Sequence, residues 1–140
     1  MDECVFCDIG SGRIDSDLAV FPSERVFVLP ALRQRARNRG HALVLPVRHA
    51  ASLHDAEPGL LGEIMAVTAR LTAAFAALYG ADGSFVFQNN GAAYARPLHL
   101  HLHAVPRFPG DEFVAPDPAS TEVPRGQRLD QSRAITEIFR

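Results

Sequence analysis

Three histidines stand at alternate positions, with apolar residues between them. His99, His101 and His103 fall within a strand predicted at 98–105. Successive side chains of a strand point to opposite faces, so the three imidazoles form a row with a spacing of about 6.5–7 Å. Such a row suits metal ligation, or nucleophilic and acid–base catalysis. A surface strand that is merely rich in histidine is the alternative, but the apolar residues on the opposite face favour contact with a core.

Both cysteines of the chain lie in one Cys4-Val-Phe-Cys7 unit. In a reducing compartment this spacing is typical of a metal clip or a redox pair rather than of a structural disulfide. Tetrahedral zinc takes four ligands, so two thiolates need two more, for which histidine is the usual complement. A metal-free thiol pair is a third interpretation. The redox interpretation lacks the βαβ pattern that usually surrounds such a motif.

The elements that position these residues are predicted to be short strands around one long helix. Apolar or alternating segments predict five strands, at 18–21, 26–29, 41–46, 84–88 and 98–105. The first two are expected to form a hairpin. The connections are of hairpin length and no βαβ alternation is present. The pattern therefore predicts the α+β class, with a five-stranded antiparallel sheet packed by one helix.

The longest predicted element is an amphipathic helix from Pro58 to Tyr79. Pro58 suits the first helical position, and Gly80 suits the C-terminal stop. Apolar residues at steps of three and four form one face, which we expect in the core, comprising Leu60, Leu61, Ile64, Met65, Thr68, Leu71, Phe75 and Leu78. A shorter helix is expected at 129–139. We expect a single domain. Residues 1–110 form its main part, and the carboxyl-terminal tail at 111–140 belongs to the same domain.

Residues 33–39 place an arginine at every second position. The segment has no set of apolar partners, so we expect an exposed loop or sheet edge. One interpretation is a solvated linker. The other is an arm that steers phosphate-bearing ligands, because arginine offers fixed, forked donors to phosphate oxygens.

The composition limits the classes of partner. The chain has 140 residues, of which 47% are hydrophobic and 21% charged, which suits one compact core. A net charge of −2 gives no general attraction to nucleic acid, so any phosphate binding must be local. No apolar run of about 18 residues is apparent, and the acidic start at residues 1–3 lacks the basic region of a secretory signal. We expect a cytoplasmic protein without a membrane partner.

Several motifs together resemble the histidine triad superfamily. His99-Leu-His101-Leu-His103-Ala-Val105 is similar to its His-x-His-x-His-x-x signature, in which each x is apolar. Five further motifs occur in the order of the family, namely Cys-x-x-Cys at 4–7, Gly-His and Pro-x-x-His within 40–49, Asn-x-Gly at 89–91 and Val-Pro-Arg at 105–107. The resemblance covers roughly residues 4–108, which makes it much stronger than any single motif.

The resemblance implies a nucleotide hydrolase that acts at the α-phosphate of dinucleoside polyphosphates or nucleoside phosphoramidates. It makes His101 the nucleophile that forms a nucleotidyl-histidine intermediate. His103 would contact a phosphate oxygen or protonate the leaving group, and His41 would support the triad from a neighbouring strand. This agrees with the chemistry of a neutral imidazole, which presents one nitrogen as a nucleophile when a hydrogen bond fixes the other. The family further implies a homodimer whose sheet continues across the two-fold interface.

The same resemblance implies one structural zinc ion per chain. In the family branch with the amino-terminal cysteine pair, zinc is held by that pair, the Pro-x-x-His histidine and the first histidine of the triad. By motif these ligands are Cys4, Cys7, His49 and His99. Such a closed site would staple the amino terminus to the triad strand without activating water. His54 is expected to be exposed rather than a ligand.

The loop before the triad departs from the family pattern. Family hydrolases commonly carry Gly-Gln-Ser or Gly-Gln-Thr there, whereas this chain has Tyr94-Ala-Arg-Pro97. Asn89, Arg96 and His103 are the candidate substrate-binding residues, and the charge of Arg96 would favour an anionic leaving group. Backbone N–H groups of residues 89–97 are further candidates for stabilising phosphoryl oxygens. The alternatives are a nucleotide-binding or regulatory module with little turnover, and a metal-dependent enzyme or metal carrier that uses the histidine row as ligands.

Overall fold

The computed structural model of the protein describes residues 4–91, 98–114 and 119–140. Within these residues it contains three α-helices and six strands, together with single 3₁₀ turns at Ala36–Asn38 and Leu53–Asp55. In chain order the elements are α1 (Val5–Gly10), β1 (Val26–Pro30), β2 (Arg33–Gln34), β3 (Ala42–Pro46), α2 (Pro58–Tyr79), β4 (Gly83–Gln88), β5 (Leu102–Arg107), β6 (Thr121–Glu122) and α3 (Arg125–Ile138).

The main sheet has four antiparallel strands in the order β1-β3-β5-β4, and β2 pairs with β6 in a small second sheet. The α+β class with an antiparallel sheet is confirmed, but the main sheet has one strand fewer than expected. Residues 18–21 contribute only an isolated bridge between Val20 and Val28. The N–H of Leu18 donates to the carbonyl of Asp15, and the carbonyl of Leu18 accepts from the Ser132 hydroxyl. Because these groups are engaged elsewhere, the segment forms no ladder.

The histidine-bearing strand begins later than the sequence predicts. β5 starts at Leu102, where it lies between β3 and β4. The N–H of Leu100 donates to the carbonyl of Ala50 at 2.7 Å, which takes this part of the chain out of the ladder. The alternation of faces persists all the same, since the intervening apolar residues lie in the core: Leu100, Leu102 and Ala104. The histidines therefore still share the opposite face.

The long helix α2 has the predicted bounds, Pro58–Tyr79. The carboxylate of its N-cap residue Glu57 accepts from the N–H of Leu60, and Gly80 ends the helix in the left-handed conformation at φ 68°. The predicted apolar face lies largely in the core, but Met65 is 53% exposed and does not belong to it. The buried residues of α2 are Leu60, Ile64, Val67, Thr68, Leu71 and Phe75.

Among the described residues, α2 is also the one helix whose length and composition would allow it to cross a membrane. By length and composition, α2 therefore contradicts the expectation that no apolar run reaches the length needed to span a membrane. Core helices pass the same test, however, and Ile64, Leu71 and Phe75 are each at most 1% exposed in the cluster that α2 shares with the sheet. In this fold α2 is the central core helix.

The carboxyl-terminal region folds back on its own chain. α3 starts at Arg125, four residues before the helix predicted from the sequence. Ile135 lies in the core cluster formed by α2 and the sheet, and the guanidinium of Arg70 lies 4.7 Å from the centre of the Phe139 ring. These contacts place α3 beside α2.

The arginine-rich segment at 33–39 includes a sheet edge, as expected, because its first two residues form β2, but it is not a solvated linker. The residues between the arginines include Gln34 and Asn38, both fully buried. The Gln34 amide bonds to Gln131 and to the N–H of Gly40. Three of the arginines donate to backbone carbonyls of other segments, Arg33 to Ser120, Arg35 to Asp111 and Arg37 to Gly110, and Arg39 donates to the carbonyl of Gln34 within the segment. The segment connects the amino-terminal and carboxyl-terminal halves of the chain.

Candidate active site and metal-binding cluster

The imidazole of His101 is buried and held in one tautomer. Its Nδ1 lies 2.7 Å from the carbonyl oxygen of His99. A carbonyl oxygen only accepts, so Nδ1 must carry the proton, and the lone pair lies on Nε2. Burial lowers the pKa of His101, which keeps the ring neutral at pH 7. A neutral ring with an available Nε2 is the form that acts as a nucleophile.

His41 and His103 form a hydrogen-bonded pair beside His101. Nε2 of His41 lies 2.9 Å from Nδ1 of His103, and the ring centres of His101 and His103 are 5.0 Å apart. Burial and the neighbouring histidines lower the pKa of His41 to about 4 and that of His103 to about 3. Both rings are therefore neutral at pH 7, and one proton lies between them. The three predicted catalytic histidines are thus brought together.

Aromatic side chains surround these histidines. The ring of Phe87 stacks on His103 with centres 4.3 Å apart and an angle of 3° between the planes. Phe113 meets His41 edge-on at 6.3 Å, and Phe6 meets His101 edge-on at 5.3 Å. The sequence motifs point to none of these aromatic residues. The one available signal is strand register, because Phe87 lies opposite His103 in the β4–β5 ladder.

A second cluster consists of Cys4, Cys7, His49 and His99. Their ligand atoms all lie within 4.8 Å of one another, an arrangement that could hold a metal ion. Sγ of Cys4 is 3.3 Å from Nδ1 of His99, and Sγ of Cys7 is 3.3 Å from Nδ1 of His49. The short helix α1 positions the thiols, because Cys4 is its N-cap and the N–H of Cys7 donates to Sγ of Cys4.

The imidazole of His99 is oriented for ligation by the backbone of β3. Its Nε2 lies 2.8 Å from the carbonyl oxygen of Pro46, so Nε2 carries the proton and the lone pair of Nδ1 faces the thiols. Burial lowers the pKa of His99 to about 4, which keeps the ring in the neutral form that binds metals. Burial and the adjacent Cys4 thiol raise the pKa of Cys7 to about 11. A metal at this position must therefore displace a thiol proton.

The two clusters meet at His99 and Phe6. The ring of His99 belongs to the cysteine cluster, whereas its carbonyl holds Nδ1 of His101. Phe6 stands between Cys4 and Cys7 in the sequence, and its ring touches the rings of both His99 and His101. The amino-terminal helix therefore contacts both groups of histidines.

The predicted substrate-binding residues are less well defined. Asn89 is exposed directly after β4, and its carbonyl accepts from the Gln88 amide. Its neighbour Asn90 holds the loop, because its side-chain oxygen accepts from the N–H of Leu53. Arg96 and the loop segment at 92–97 lie outside the described residues. His54, which was expected not to be a ligand, is exposed and bonds to Ser52.

The comparison with protein families matches the HIT domain, the histidine triad domain, to residues 15–110. The chain belongs to the HIT family. An uncharacterized HIT-like protein of Mycobacterium tuberculosis is 36% identical to this HIT protein over 115 residues, which cover 79% of this chain and 75% of that protein. The adenosine 5'-monophosphoramidase of Schizosaccharomyces pombe is 32% identical over 111 residues, covering 79% of this chain and 77% of that enzyme.

Solved HIT structures share the whole fold. A Zn-bound histidine triad family protein from Mycobacterium smegmatis superposes with a TM-score of 0.78 at 30% sequence identity. The alignment covers 98% of this HIT protein and 93% of that chain. The match extends beyond the residues 15–110 of the HIT domain. The resemblance to the histidine triad superfamily is thus confirmed, and the family supports a nucleotide-hydrolase class for this protein.

Proposed function

We propose that this HIT protein cleaves the bond at the α-phosphate of dinucleoside polyphosphates or nucleoside phosphoramidates, with His101 as the nucleophile. The observation that carries the proposal is the hydrogen bond from Nδ1 of His101 to the carbonyl of His99, which leaves the Nε2 lone pair for phosphorus. The name of the S. pombe relative, an adenosine 5'-monophosphoramidase, supports phosphoramidates as the first substrates to test.

The proposed reaction has two displacements. Nε2 of His101 attacks the α-phosphorus and forms a nitrogen–phosphorus bond, while the bond to the bridging oxygen or nitrogen breaks. The electron pair of that bond departs with the leaving group, which takes up a proton. Water then attacks the same phosphorus, and one of its protons replaces the proton that the leaving group took. The bond to Nε2 breaks, its electron pair returns to Nε2, and a nucleoside monophosphate is released with the neutral imidazole restored. Covalent catalysis divides one difficult hydrolysis into two easier steps.

His103 is proposed to donate a hydrogen bond to the phosphate or leaving group. We assign the proton between the paired rings to Nε2 of His41, so Nδ1 of His103 accepts it and Nε2 of His103 keeps its own proton. That N–H can donate a hydrogen bond to a phosphate oxygen. A negatively charged substrate would raise the pKa of His103, and His103 could then transfer a proton to the leaving atom as a general acid. Stacking on Phe87 holds the His103 ring in place.

Asn89 and Arg96 are proposed to bind the substrate. Asn89 follows β4 two residues after Phe87, which faces His103 in the ladder. Because residues two apart in an extended chain point to the same face, Asn89 lies on the face of the sheet that carries Phe87 and His103. The guanidinium of Arg96 would neutralise charge on a polyphosphate leaving group.

The cysteine cluster is proposed to bind one zinc ion per chain. Two thiols and two imidazole nitrogens are the usual donors of a structural zinc site, and the lone pair of His99 already faces the thiols. Cys4, Cys7, His49 and His99 would hold the ion. By binding ligands from both, the ion would fix α1 to the segment that carries His99, His101 and His103. A reducing, cytoplasmic compartment would keep both thiols available.

We propose that the protein is a homodimer joined at the free edge of β4. Among the described residues β4 pairs with β5 alone, and its Phe85 and Val86 are 36% and 37% exposed. An apolar edge strand is a template for another strand, and a two-fold axis would continue the sheet. Light scattering should find a dimer for the wild type and a monomer for Val86→Lys. A monomeric wild type would contradict this arrangement.

The experiment that tests the function is mass spectrometry of the intact protein after reaction with an adenosine phosphoramidate. An alkaline quench preserves the nitrogen–phosphorus bond, which is labile in acid. We expect an adenylyl adduct and product for the wild type and neither for His101→Ala. His54→Ala is the matched control, because His54 is exposed and should react like the wild type.

Two outcomes would overturn the proposal. Turnover that persists in His101→Ala would exclude His101 as the nucleophile. Neither adduct nor product in the wild type, with a phosphoramidate or with diadenosine tetraphosphate, would favour the nucleotide-binding module.

A further inference from the structure

A separate pocket of about 320 Å³ lies at the N-terminal end of α3. Its lining includes Asp15, Glu122 of β6, Arg125 and Arg128 of α3, and the apolar side chains of Leu32 and Val123. None of these residues belongs to the histidine and cysteine clusters. A volume of this size is at the lower end of the range found for small-molecule sites.

The central feature of the pocket is the buried guanidinium of Arg128. The residue is only 9% exposed, and its buried Nε has no hydrogen-bond partner among the residues that the structure describes. Nη2 reaches the carbonyl of Pro30 at 3.5 Å, the outer limit of a hydrogen bond. Arginine keeps its charge even where burial lowers its pKa, as burial does for Arg128. A buried cation with incomplete hydrogen bonding is costly unless an acceptor is supplied.

The N-terminal end of α3 adds a second attraction for an anion at the same place. α3 has 14 residues, and its N-cap residue Pro124, which also lines the pocket, offers no side-chain cap. The first N–H groups of a helix lack partners within the helix, and the helix dipole places partial positive charge there. Such an end is a favourable position for an anionic group.

The remaining charges select the kind of anion. The Arg125 guanidinium is paired with Asp15 and Asp17, which leaves Arg128 as the cation available to a ligand. The carboxylates of Asp15 and Glu122 line the pocket and would repel a phosphate dianion more strongly than a group with a single charge. A carboxylate also matches the forked donors of arginine. The apolar walls suit the carbon skeleton of a small organic acid.

We propose that this pocket is a second ligand site, in which Arg128 and the N-terminal end of α3 bind the carboxylate group of a small molecule. The site is independent of the reaction proposed for His101. Acetate is the simplest probe of its chemistry, and inorganic phosphate is the competing anion.

Nuclear magnetic resonance of the ¹⁵N-labelled full chain can test the site directly. The Nε–H signal of Arg128, identified by its loss in Arg128→Met, should shift saturably as acetate is added. The backbone N–H signals of Arg125 and Gly126 should follow it in the wild type and respond at least about tenfold more weakly in Arg128→Met. Arg133→Met is the matched control, since Arg133 lies on the same helix with its side chain 70% exposed.

Three results would overturn the proposal. They are no saturable shift with acetate, an equal response in Arg128→Met and the wild type, or tighter binding of phosphate than of acetate. Should Arg128→Met fail to fold, Glu122→Gln decides the question, because this residue is exposed. Removing its charge should strengthen acetate binding at low ionic strength. An unchanged affinity in Glu122→Gln would then contradict a site at this position.

Discussion

At the scale of single residues, burial determines the charge of the histidine pair. Burial is the largest cause of the lowered pKa of both His41 and His103, and nearby histidines add repulsion between positive charges. The two rings can therefore hydrogen-bond as neutral groups. Such a neutral pair still carries an N–H that can donate a hydrogen bond to a phosphate, and it leaves the proton of His101 on Nδ1.

This burial predicts a loss of stability in mild acid. An unfolded histidine has a pKa near 6.5, whereas His41 has a folded-state pKa of about 4. The unfolded chain therefore binds more protons between these values. The contribution to stability is fully present above about pH 6.5 and is lost as the pH falls towards 4. Urea titrations should show a decline of roughly 2 kcal/mol per histidine between pH 6.5 and 5.

Two variants distinguish the contribution of the His41–His103 pair to this pH dependence from that of other titrating groups. His41→Gln should show a shallower decline of the free energy of unfolding than the wild type, whereas the exposed control His54→Gln should keep the wild-type slope. Equal slopes in His41→Gln and the wild type would contradict the lowered pKa.

Gly40, directly before His41, provides a second prediction. Its φ is +110°, and a Cβ there would lie 2.4 Å from the ring of Tyr79. Gly40→Ala should lower the free energy of unfolding by about 2 kcal/mol or more, because it adds backbone strain to a steric clash. The control is Gly83→Ala, where a Cβ meets nothing within 4 Å. Similar unfolding midpoints in the two variants would refute the expected clash.

At the scale of elements, local signals predicted α2 and distant contacts altered the strands. The helix is specified by its own periodicity and by caps within a few residues of its ends. The start of β5 depends on a bond from Leu100 to Ala50, and the failure of residues 18–21 to form a strand depends on Ser132. Partners so far apart in the chain leave no local pattern in the sequence.

Gly62 within α2 and Gly80 directly after it should respond oppositely to alanine. Gly62 is inside the helix and a Cβ there meets nothing within 4 Å, so Gly62→Ala should stabilise the protein by about 0.5–1 kcal/mol. Gly80 has φ 68°, so Gly80→Ala should destabilise it by about 1 kcal/mol. Thermal unfolding of both variants should give shifts of opposite sign. Shifts of the same sign would disprove this assignment of the helix end.

At the scale of the whole molecule, spacing and family resemblance predicted which residues lie together better than they predicted the side chains around them. The sequence motifs identified all four members of the cysteine and histidine cluster, although these residues span positions 4 to 99. The stacking of Phe87 on His103 required the strand register. The solvated-linker interpretation of the arginine segment was wrong because the carbonyl partners of Arg33 and Arg35, on Ser120 and Asp111, lie more than 70 positions away.

Metal removal tests the contribution of the cysteine cluster to folding. A metal that binds only the folded chain adds its binding free energy to stability, so chelation should lower the unfolding temperature on the order of 10 °C. Elemental analysis should find one zinc ion per chain in the wild type and in His101→Ala, and none in Cys7→Ser. Loss of zinc from His101→Ala would instead favour the histidine row as the metal site.

His99 contributes to the two clusters through chemically different parts of one residue. Its imidazole faces the thiols, whereas its backbone carbonyl sets the tautomer of His101. Every amino acid carries that carbonyl, so a point mutation at position 99 removes the imidazole and leaves the acceptor in the chain. The side chain at position 99 can therefore change during evolution without removing the carbonyl that sets the tautomer of His101, because that carbonyl is inherited with the backbone.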